Sequence, residues 1–176
     1  MKRCSVIGFL CFAAIFSLSF QAEGVMIGLS TEELTRSSDV IVRGVIESVQ
    51  SEWSADGRTI ITRASVLVDD VIGGKVTGNR VMVEYPGGEV DGIGLKVSDV
   101  SPLMEGEDVL LFLSSETERM GVFVRKMVGN AQGEYRIDRK GIARKRGFTL
   151  ADRKDVIDND IPVEELIGKI RAVLKD

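Results

Sequence analysis

The clearest alternation of apolar and polar side chains lies at positions 59–72. Even-numbered positions there are mostly apolar, whereas Arg63, Ser65 and Asp69 fall on the other face. Because successive side chains of a strand point to opposite faces, this period of two predicts a half-buried antiparallel strand. Positions 109–113 are apolar on both faces and predict the most buried strand. Similar runs predict further strands at 40–53, 81–85, 95–97, 122–128, 135–137 and around 142.

Two helices are predicted, one on each side of the β-rich region. Ser30 and Glu33 are the two ends of a capping-box sequence, in which each side chain can bind the other residue's backbone amide. A short helix therefore begins after Ser30. Near the C-terminus, apolar residues recur at helical spacing from Val163 to Leu174. This periodicity predicts an amphipathic helix over 161–175.

Turn signals between these elements indicate the fold class. Asp56 and Gly57 are typical of a tight turn between strands, and Gly44 indicates a bulge or bend inside the long first strand. Five to seven strands in series with flanking helices predict a mainly β fold, built as one small antiparallel barrel. Positions 87–106 are rich in glycine and poor in periodic apolar residues. We interpret them as a long loop, a kind of segment that often carries function.

The N-terminus has the layout of a secretory signal peptide. Lys2 and Arg3 precede an apolar run at 6–20, and small residues then offer cleavage sites after 22 or 24. The run is shorter than the roughly 20 residues that span a bilayer, which favours cleavage over a retained anchor. We predict a leader at 1–24, a single domain at 25–176, no membrane span after leader removal, and a periplasmic or secreted location.

Composition limits the chemistry that the exported domain can perform. The chain has no histidine, and its two cysteines, Cys4 and Cys11, lie inside the leader. Catalysis by a thiol or a histidine base and a zinc-type site are therefore disfavoured. An acidic stretch at 155–164 hints at a calcium loop, but Val163 stands where that pattern, counted from Asp158, needs glycine. We predict no enzyme activity, no cofactor and no metal. A hydrolase with a carboxylate site is a minor alternative.

Charge is unevenly distributed along the chain. The net charge of −4 favours solubility and argues against nucleic acid as a partner. Between 119 and 154, however, eleven basic residues face only three acidic ones. This excess indicates either a surface for an acidic partner or a set of ordinary exposed side chains. With the single tryptophan, which ends the first predicted strand, the basic run supplies the candidate partner-binding residues: Trp53, Arg136, Arg139, Lys140, Arg144, Lys145 and Arg146.

Three segments carry a resemblance to known proteins. They are 38–44 (SDVIVRG), 61–74 with its paired glycines, and 105–113 (EGEDVLLFL). These segments resemble a group of exported, mostly uncharacterised bacterial proteins, and the likeness covers most of 29–137. More distantly, their order looks like the netrin-like OB barrel of tissue inhibitors of metalloproteinases. The resemblance implies an OB-like barrel and a secreted protease as a partner class.

The inhibitors' functional residues do not carry over to this chain. That family binds the protease zinc through an N-terminal cysteine, whereas the processed chain would begin at Glu23 or Val25 and contain no cysteine. Our leading hypothesis is an exported, non-enzymatic module that engages a protein partner, with a secreted protease as one candidate. The alternative is a binder of an anionic envelope glycan or lipid surface through the basic stretch at 136–146.

Overall fold

A computed structural model describes residues 27–147 and 157–176 of the protein. The predicted leader lies outside these residues. The predicted mainly β class is confirmed, with helix α1 at Thr31–Arg36, helix α2 at Val163–Val173 and a short 3-10 helix at Asn130–Gly133. The strands of the described residues are β1 Val40–Trp53, β2 Ile60–Gly73, β3 Arg80–Pro86, β4 Gly88–Val90, β5 Ile93–Leu95, β6 Asp108–Leu113, β7 Thr117–Arg119, β8 Val122–Val124, β9 Glu134–Ile137, β10 Ile142–Arg144 and β11 Ile161–Pro162.

Seven of these strands form one antiparallel sheet in the order β11-β10-β9-β6-β1-β2-β3. Strand β1 pairs with β6 through its first half and with β2 along its whole length. The register shifts at Gly44, where a Cβ atom would lie 2.1 Å from the carbonyl oxygen of Leu67. The predicted bulge is therefore confirmed, and the close approach of β2 explains why the position needs glycine.

The sheet is open, whereas the sequence predicts a barrel. Its edge strands β3 and β11 do not pair with each other, and no closed barrel forms among the described residues. The segment that follows β8 lies between β3 and β6: Arg125 donates to the Met82 carbonyl (2.8 Å), and Val128 donates to the Phe112 carbonyl (2.9 Å). Only single bridges form on each side. The predicted strand at 122–128 is therefore shorter than expected and does not complete a ladder.

Each face of the sheet carries its own hydrophobic core. Strand β6 explains the arrangement, because Leu110 and Phe112 point to one core while Val109 and Leu111 point to the other. All five residues from Val109 to Leu113 are fully buried, as predicted. The first core lies under both helices and includes Leu34 of α1 and a stripe along α2. The stripe residues Val163, Leu166, Ile167 and Ile170 confirm the predicted amphipathic face, whereas Leu174 at its end is 47% exposed.

The helix ends agree with their sequence signals. Ser30 caps α1: its Oγ accepts the Glu33 amide at 3.2 Å, and the Glu33 carboxylate accepts the Ser30 amide at 2.8 Å. Helix α2 is shorter than the predicted 161–175, because Ile161 and Pro162 pair with β10 as strand β11. The chain therefore enters α2 directly from the edge of the sheet.

Candidate binding surfaces

Four of the six candidate basic residues line one surface groove of about 450 Å³. Strands β9 and β10 pair antiparallel, and they carry Arg136 and Arg144. The turn between them adds Asp138 and Arg139 to the same groove. We call it the arginine groove. Its charged lining consists of Arg136, Arg139, Arg144 and Arg146 together with Glu107, Asp108 and Asp138.

Two of the groove arginines are held by ion pairs. Arg136 contacts Glu134 at 2.7 Å and Glu107 at 3.0 Å, and its side chain is largely buried. It also donates to the Ser101 hydroxyl and the Pro102 carbonyl, so it fastens the 87–106 region to β9. Burial raises the pKa of Glu134, and Arg136 opposes that rise. Arg136 therefore compensates a buried charge inside the protein.

Arg144 is held in a similar way on β10. It contacts Asp138 and Asp160, each at 2.5 Å. The pKa of Asp138 is lowered to about 2, first because its carboxylate accepts the Ile142 amide and second because Arg144 lies beside it. Asp138 is therefore ionised at any ordinary pH, and Arg144 is fixed against the groove wall.

The other basic candidates divide into exposed and buried side chains. Arg139 and Arg146 are exposed, and neither forms an ion pair within the described residues. Lys140 is exposed but lies outside the groove lining. Lys145 is buried, with its Nζ 4.1 Å from the centre of the Tyr135 ring.

Lys145 is part of a buried polar cluster beneath α1. Its ammonium donates to the Gln132 carbonyl, and burial lowers its pKa to about 7, against the opposing effect of the Asp158 and Glu134 charges. Next to it, the Tyr135 hydroxyl donates to the Asp158 carbonyl at 3.0 Å. Counting charges along the sequence cannot distinguish this buried lysine from the exposed ones. Lys145 directly follows β10, and that strand of three residues is too short to show an alternating pattern of buried and exposed positions.

The 87–106 region forms a second concavity, which we call the loop cleft. The sequence predicts a loop with one short strand there, and the structure contains the hairpin β4–β5 followed by irregular chain. The cleft has a volume of about 290 Å³. Its walls are mostly apolar and include Val49, Leu95, Val97, Val100, Pro102 and Leu103.

Hydroxyl groups and glycine form the floor of the loop cleft. The hydroxyls of Ser51 and Thr62 lie 2.8 Å apart, and Thr62 donates to the Gly87 carbonyl at 2.6 Å. Gly88 has a φ of +121°, and a Cβ there would lie 2.2 Å from the Ser51 hydroxyl oxygen. Gly88 is therefore needed for the close approach of β4 to β1 and β2.

The loop above the cleft is anchored at several points. The Tyr85 hydroxyl accepts the Leu103 amide at 3.2 Å, and the Gly106 amide donates to the Ile46 carbonyl at 2.8 Å. Ile93 and Met104 of the same region are 55% and 56% exposed. The cleft is thus a supported cavity with apolar side chains exposed on the segment that forms it.

Trp53 lies apart from both surfaces. It ends β1, opposite Ile60, and is 37% exposed. It lines neither the arginine groove nor the loop cleft. Beyond it on the sheet, the nearly buried Glu84 is paired with Arg63 at 3.1 Å and Arg119 at 3.6 Å. The structure therefore does not bring the tryptophan together with the arginines.

The described residues contain no group of three histidine, cysteine or acidic side chains that could hold a metal ion. Asp158, from the acidic stretch that resembles a calcium loop, binds Thr31 and Lys169, and Asp160 binds Arg144. Asp155 lies outside the described residues. Within 27–147 and 157–176, neither helix is long and apolar enough to cross a membrane.

Comparison with known proteins adds no relative. No protein-family model matches the chain, and no curated protein is significantly similar to it. The OB/netrin-like relationship therefore stays a prediction.

Proposed function

We propose that the protein is an exported, non-enzymatic binding module that engages a protein partner through the loop cleft. The observation that carries the proposal is the cleft itself: an apolar concavity of about 290 Å³ on a firmly anchored loop. Its walls present aliphatic side chains, and its floor offers hydroxyl groups. Pockets of this kind accept the anchor side chains that dominate the affinity of many protein interfaces.

Size and surroundings favour a partner side chain over a cofactor. The volume of about 290 Å³ lies just below the roughly 300–1,000 Å³ that small-molecule sites occupy. The exposed Ile93 and Met104 extend the apolar area beyond the cavity, as an interface requires. A partner can therefore insert one or two aliphatic or aromatic side chains and cover these residues at the same time.

The absence of the usual catalytic groups supports binding over catalysis. The chain has no histidine and keeps both cysteines in the predicted leader. The two most buried glutamates of the described residues are paired with arginines, Glu84 with Arg63 and Glu134 with Arg136. Pairing of this kind stabilises charge within the protein. A secreted protease is one partner class to test, because of the resemblance to metalloproteinase inhibitors. Without an N-terminal cysteine, such contact would use the cleft and not the mature N-terminus.

A capture experiment with matched variants tests the proposal. The protein is expressed from its full sequence so that the host removes the leader, intact mass reports the cleavage, and the product is used as bait for envelope and secreted proteins. Val97→Asp places a charge in the cleft, whereas Val71→Asp makes the same change at an exposed position of β2 outside it. We expect one partner that survives high salt, binds the Val71 variant and is lost from the Val97 variant.

Two results would contradict the proposal. Either both variants retain the partner equally, or the wild-type protein captures nothing while it turns over a substrate. The first result would place the interface elsewhere, and the second would revive the hydrolase alternative. If high salt releases the partner while the Val97→Asp variant still binds it, the result would favour the charged surface.

A further inference from the structure

Two arginines of the arginine groove, Arg139 and Arg146, form no ion pair within the described residues, whereas every carboxylate of its lining is paired. Each carboxylate of its lining already has an arginine partner: Glu107 pairs with Arg136, Asp138 with Arg144, and Asp108 with Arg43 at 2.9 Å. Arg43 belongs to β1 and does not line the groove. The lining therefore retains two cations, Arg139 and Arg146, without a counter-charge in the described residues.

We propose that the arginine groove binds one compact oxyanion group, a carboxylate, phosphate or sulfate, carried by an acidic sugar. A guanidinium group presents a planar fork of N–H donors that matches two oxygens of such a group at once. Arg139 and Arg146 supply these forks. This site is separate from the loop cleft, and the inference does not depend on the proposed partner.

The walls of the groove are already fixed before a ligand arrives. Arg136 is held by Glu107, Glu134, Ser101 and the Pro102 carbonyl. On the opposite strand, Arg144 is held by two aspartates. A ligand therefore has to order only Arg139 and Arg146, which form no ion pair with any described residue, and this lowers the entropic cost of binding.

The shape of the groove favours a sugar over a bilayer or a nucleic acid. Its cations line a concave space of about 450 Å³, which suits a single charged ring, whereas anionic lipid headgroups form a plane. A nucleic acid spreads its phosphates along an extended backbone, whereas Arg139 and Arg146 share one short groove. The exported location expected for the protein places it among envelope and extracellular glycans.

Titration of the full-sequence product with defined anions tests the site. The probes are inorganic sulfate, inorganic phosphate, oligogalacturonate and vesicles of phosphatidylglycerol, with binding followed by calorimetry and by arginine Nε–Hε NMR signals. The test variant combines Arg139→Gln and Arg146→Gln. The control variant is Lys140→Gln, which removes an exposed positive charge from the same turn but outside the groove lining.

We expect oligogalacturonate to bind and its affinity to fall at least roughly tenfold in the double variant, with a change of less than about twofold in the control. Binding should weaken as salt rises. The Nε–Hε signals of Arg139 and Arg146 should shift on binding. Because both side chains are exposed and form no ion pair within 27–147 and 157–176, the urea midpoint of the double variant should match that of the wild type.

Three outcomes would overturn the inference. Equal losses in the double variant and the Lys140 control would mean that binding follows net charge and not the groove. No binding of any probe at low salt would exclude the site. Binding to vesicles without binding to oligogalacturonate would assign the groove to a lipid surface. None of these outcomes bears on the capture test at Val97, so the two proposals fail independently.

Discussion

The arginine groove and the loop cleft are both concave, but they are built in opposite ways. The groove is lined by charged side chains, most of which are already bound to one another, such as Arg136 to Glu107 and Arg144 to Asp138. The cleft has apolar walls above a floor of hydroxyl groups and glycine. A charge-rich sequence therefore produced a groove in which only Arg139 and Arg146 lack an ion pair within the described residues, and a glycine-rich sequence produced a defined cavity. Local composition predicts neither the free charge nor the cavity, because both depend on which strands come together.

The largest expected effect comes from breaking the ion pairs of the groove at Arg136. Its replacement by alanine leaves the buried Glu134 carboxylate without its partner and should lower the free energy of unfolding by about 3–5 kcal/mol. Chemical denaturation at pH 7 measures this loss. Arg139→Ala, an exposed change in the same groove, should alter stability by less than about 0.5 kcal/mol. Equal effects of the two changes would refute the structural role of Arg136.

The pH dependence of the Arg136→Ala variant sharpens this prediction. The folded-state pKa of Glu134 is raised by burial, and removal of Arg136 should raise it further. An acid with a raised folded pKa binds protons more readily in the native state than in the unfolded state. The folded protein therefore becomes more stable as pH falls. The destabilisation measured at pH 7 should therefore shrink at pH 5. A loss that stays constant between these pH values would contradict the assignment to Glu134.

The second prediction concerns a substitution at Gly88, in the floor of the loop cleft. A Cβ at this position meets the hydroxyl oxygens of Ser51 and Thr62 at 2.2 and 2.4 Å, in a backbone conformation with φ of +121°. Gly88→Ala should cost roughly 2–4 kcal/mol of stability and abolish partner capture. Gly92→Ala, at the tip of the β4–β5 hairpin, also has positive φ but meets no atom within 4 Å. It should cost only about 1–2 kcal/mol. Similar losses of stability in the two variants would mean that backbone strain, and not contact with the hydroxyls of the cleft floor, causes the destabilisation.

The third prediction concerns Lys145, the basic residue that the fold removes from the surface. Its folded pKa of about 7 lies below the ordinary value of 10.5, so the unfolded chain binds more protons between these pH values. Stability from this group should rise with pH from 7 to 10.5, by at most about 1.4 kcal/mol per pH unit. Lys145→Met should remove this slope, measured as the difference between urea midpoints at pH 7, 8 and 9. If the urea midpoints of the wild type and of Lys145→Met change equally with pH, Lys145 is solvated in the folded protein.

The smallest effect is the titration of Asp138, which holds Arg144 in the groove wall. Its pKa of about 2 arises mainly from the Ile142 amide and secondly from Arg144. The carboxyl carbon signal of Asp138 in NMR should therefore show no titration between pH 7 and 4. A midpoint near the ordinary value of 3.8 would mean that the turn is not formed as described.

Local patterns predicted the elements more successfully than their assembly. The capping box at Ser30, the strand at 40–53 and the bulge at Gly44 were readable because each depends on neighbouring residues or on one face of a strand. The open sheet was not, because closure requires a complete ladder between distant strands, whereas the segment at 125–128 forms only single bridges with β3 and β6. For the sites, sequence reasoning identified the arginines of the groove but not their pairing with Glu107 or the burial of Lys145. The loop was recognised as notable, yet its cleft requires contacts with Val49 and Thr62 from other strands.

The most direct test of the central claim is a set of binding isotherms for the captured partner. Wild type, Val97→Asp and the combined Arg139→Gln, Arg146→Gln variant are compared at about 50 mM and about 500 mM salt, on either side of the range where exposed charges are effectively screened. The cleft account predicts that the Val97 variant loses binding at both salt concentrations, whereas the arginine variant binds like the wild type. Loss of binding in the arginine variant, with full binding by the Val97 variant, would contradict it.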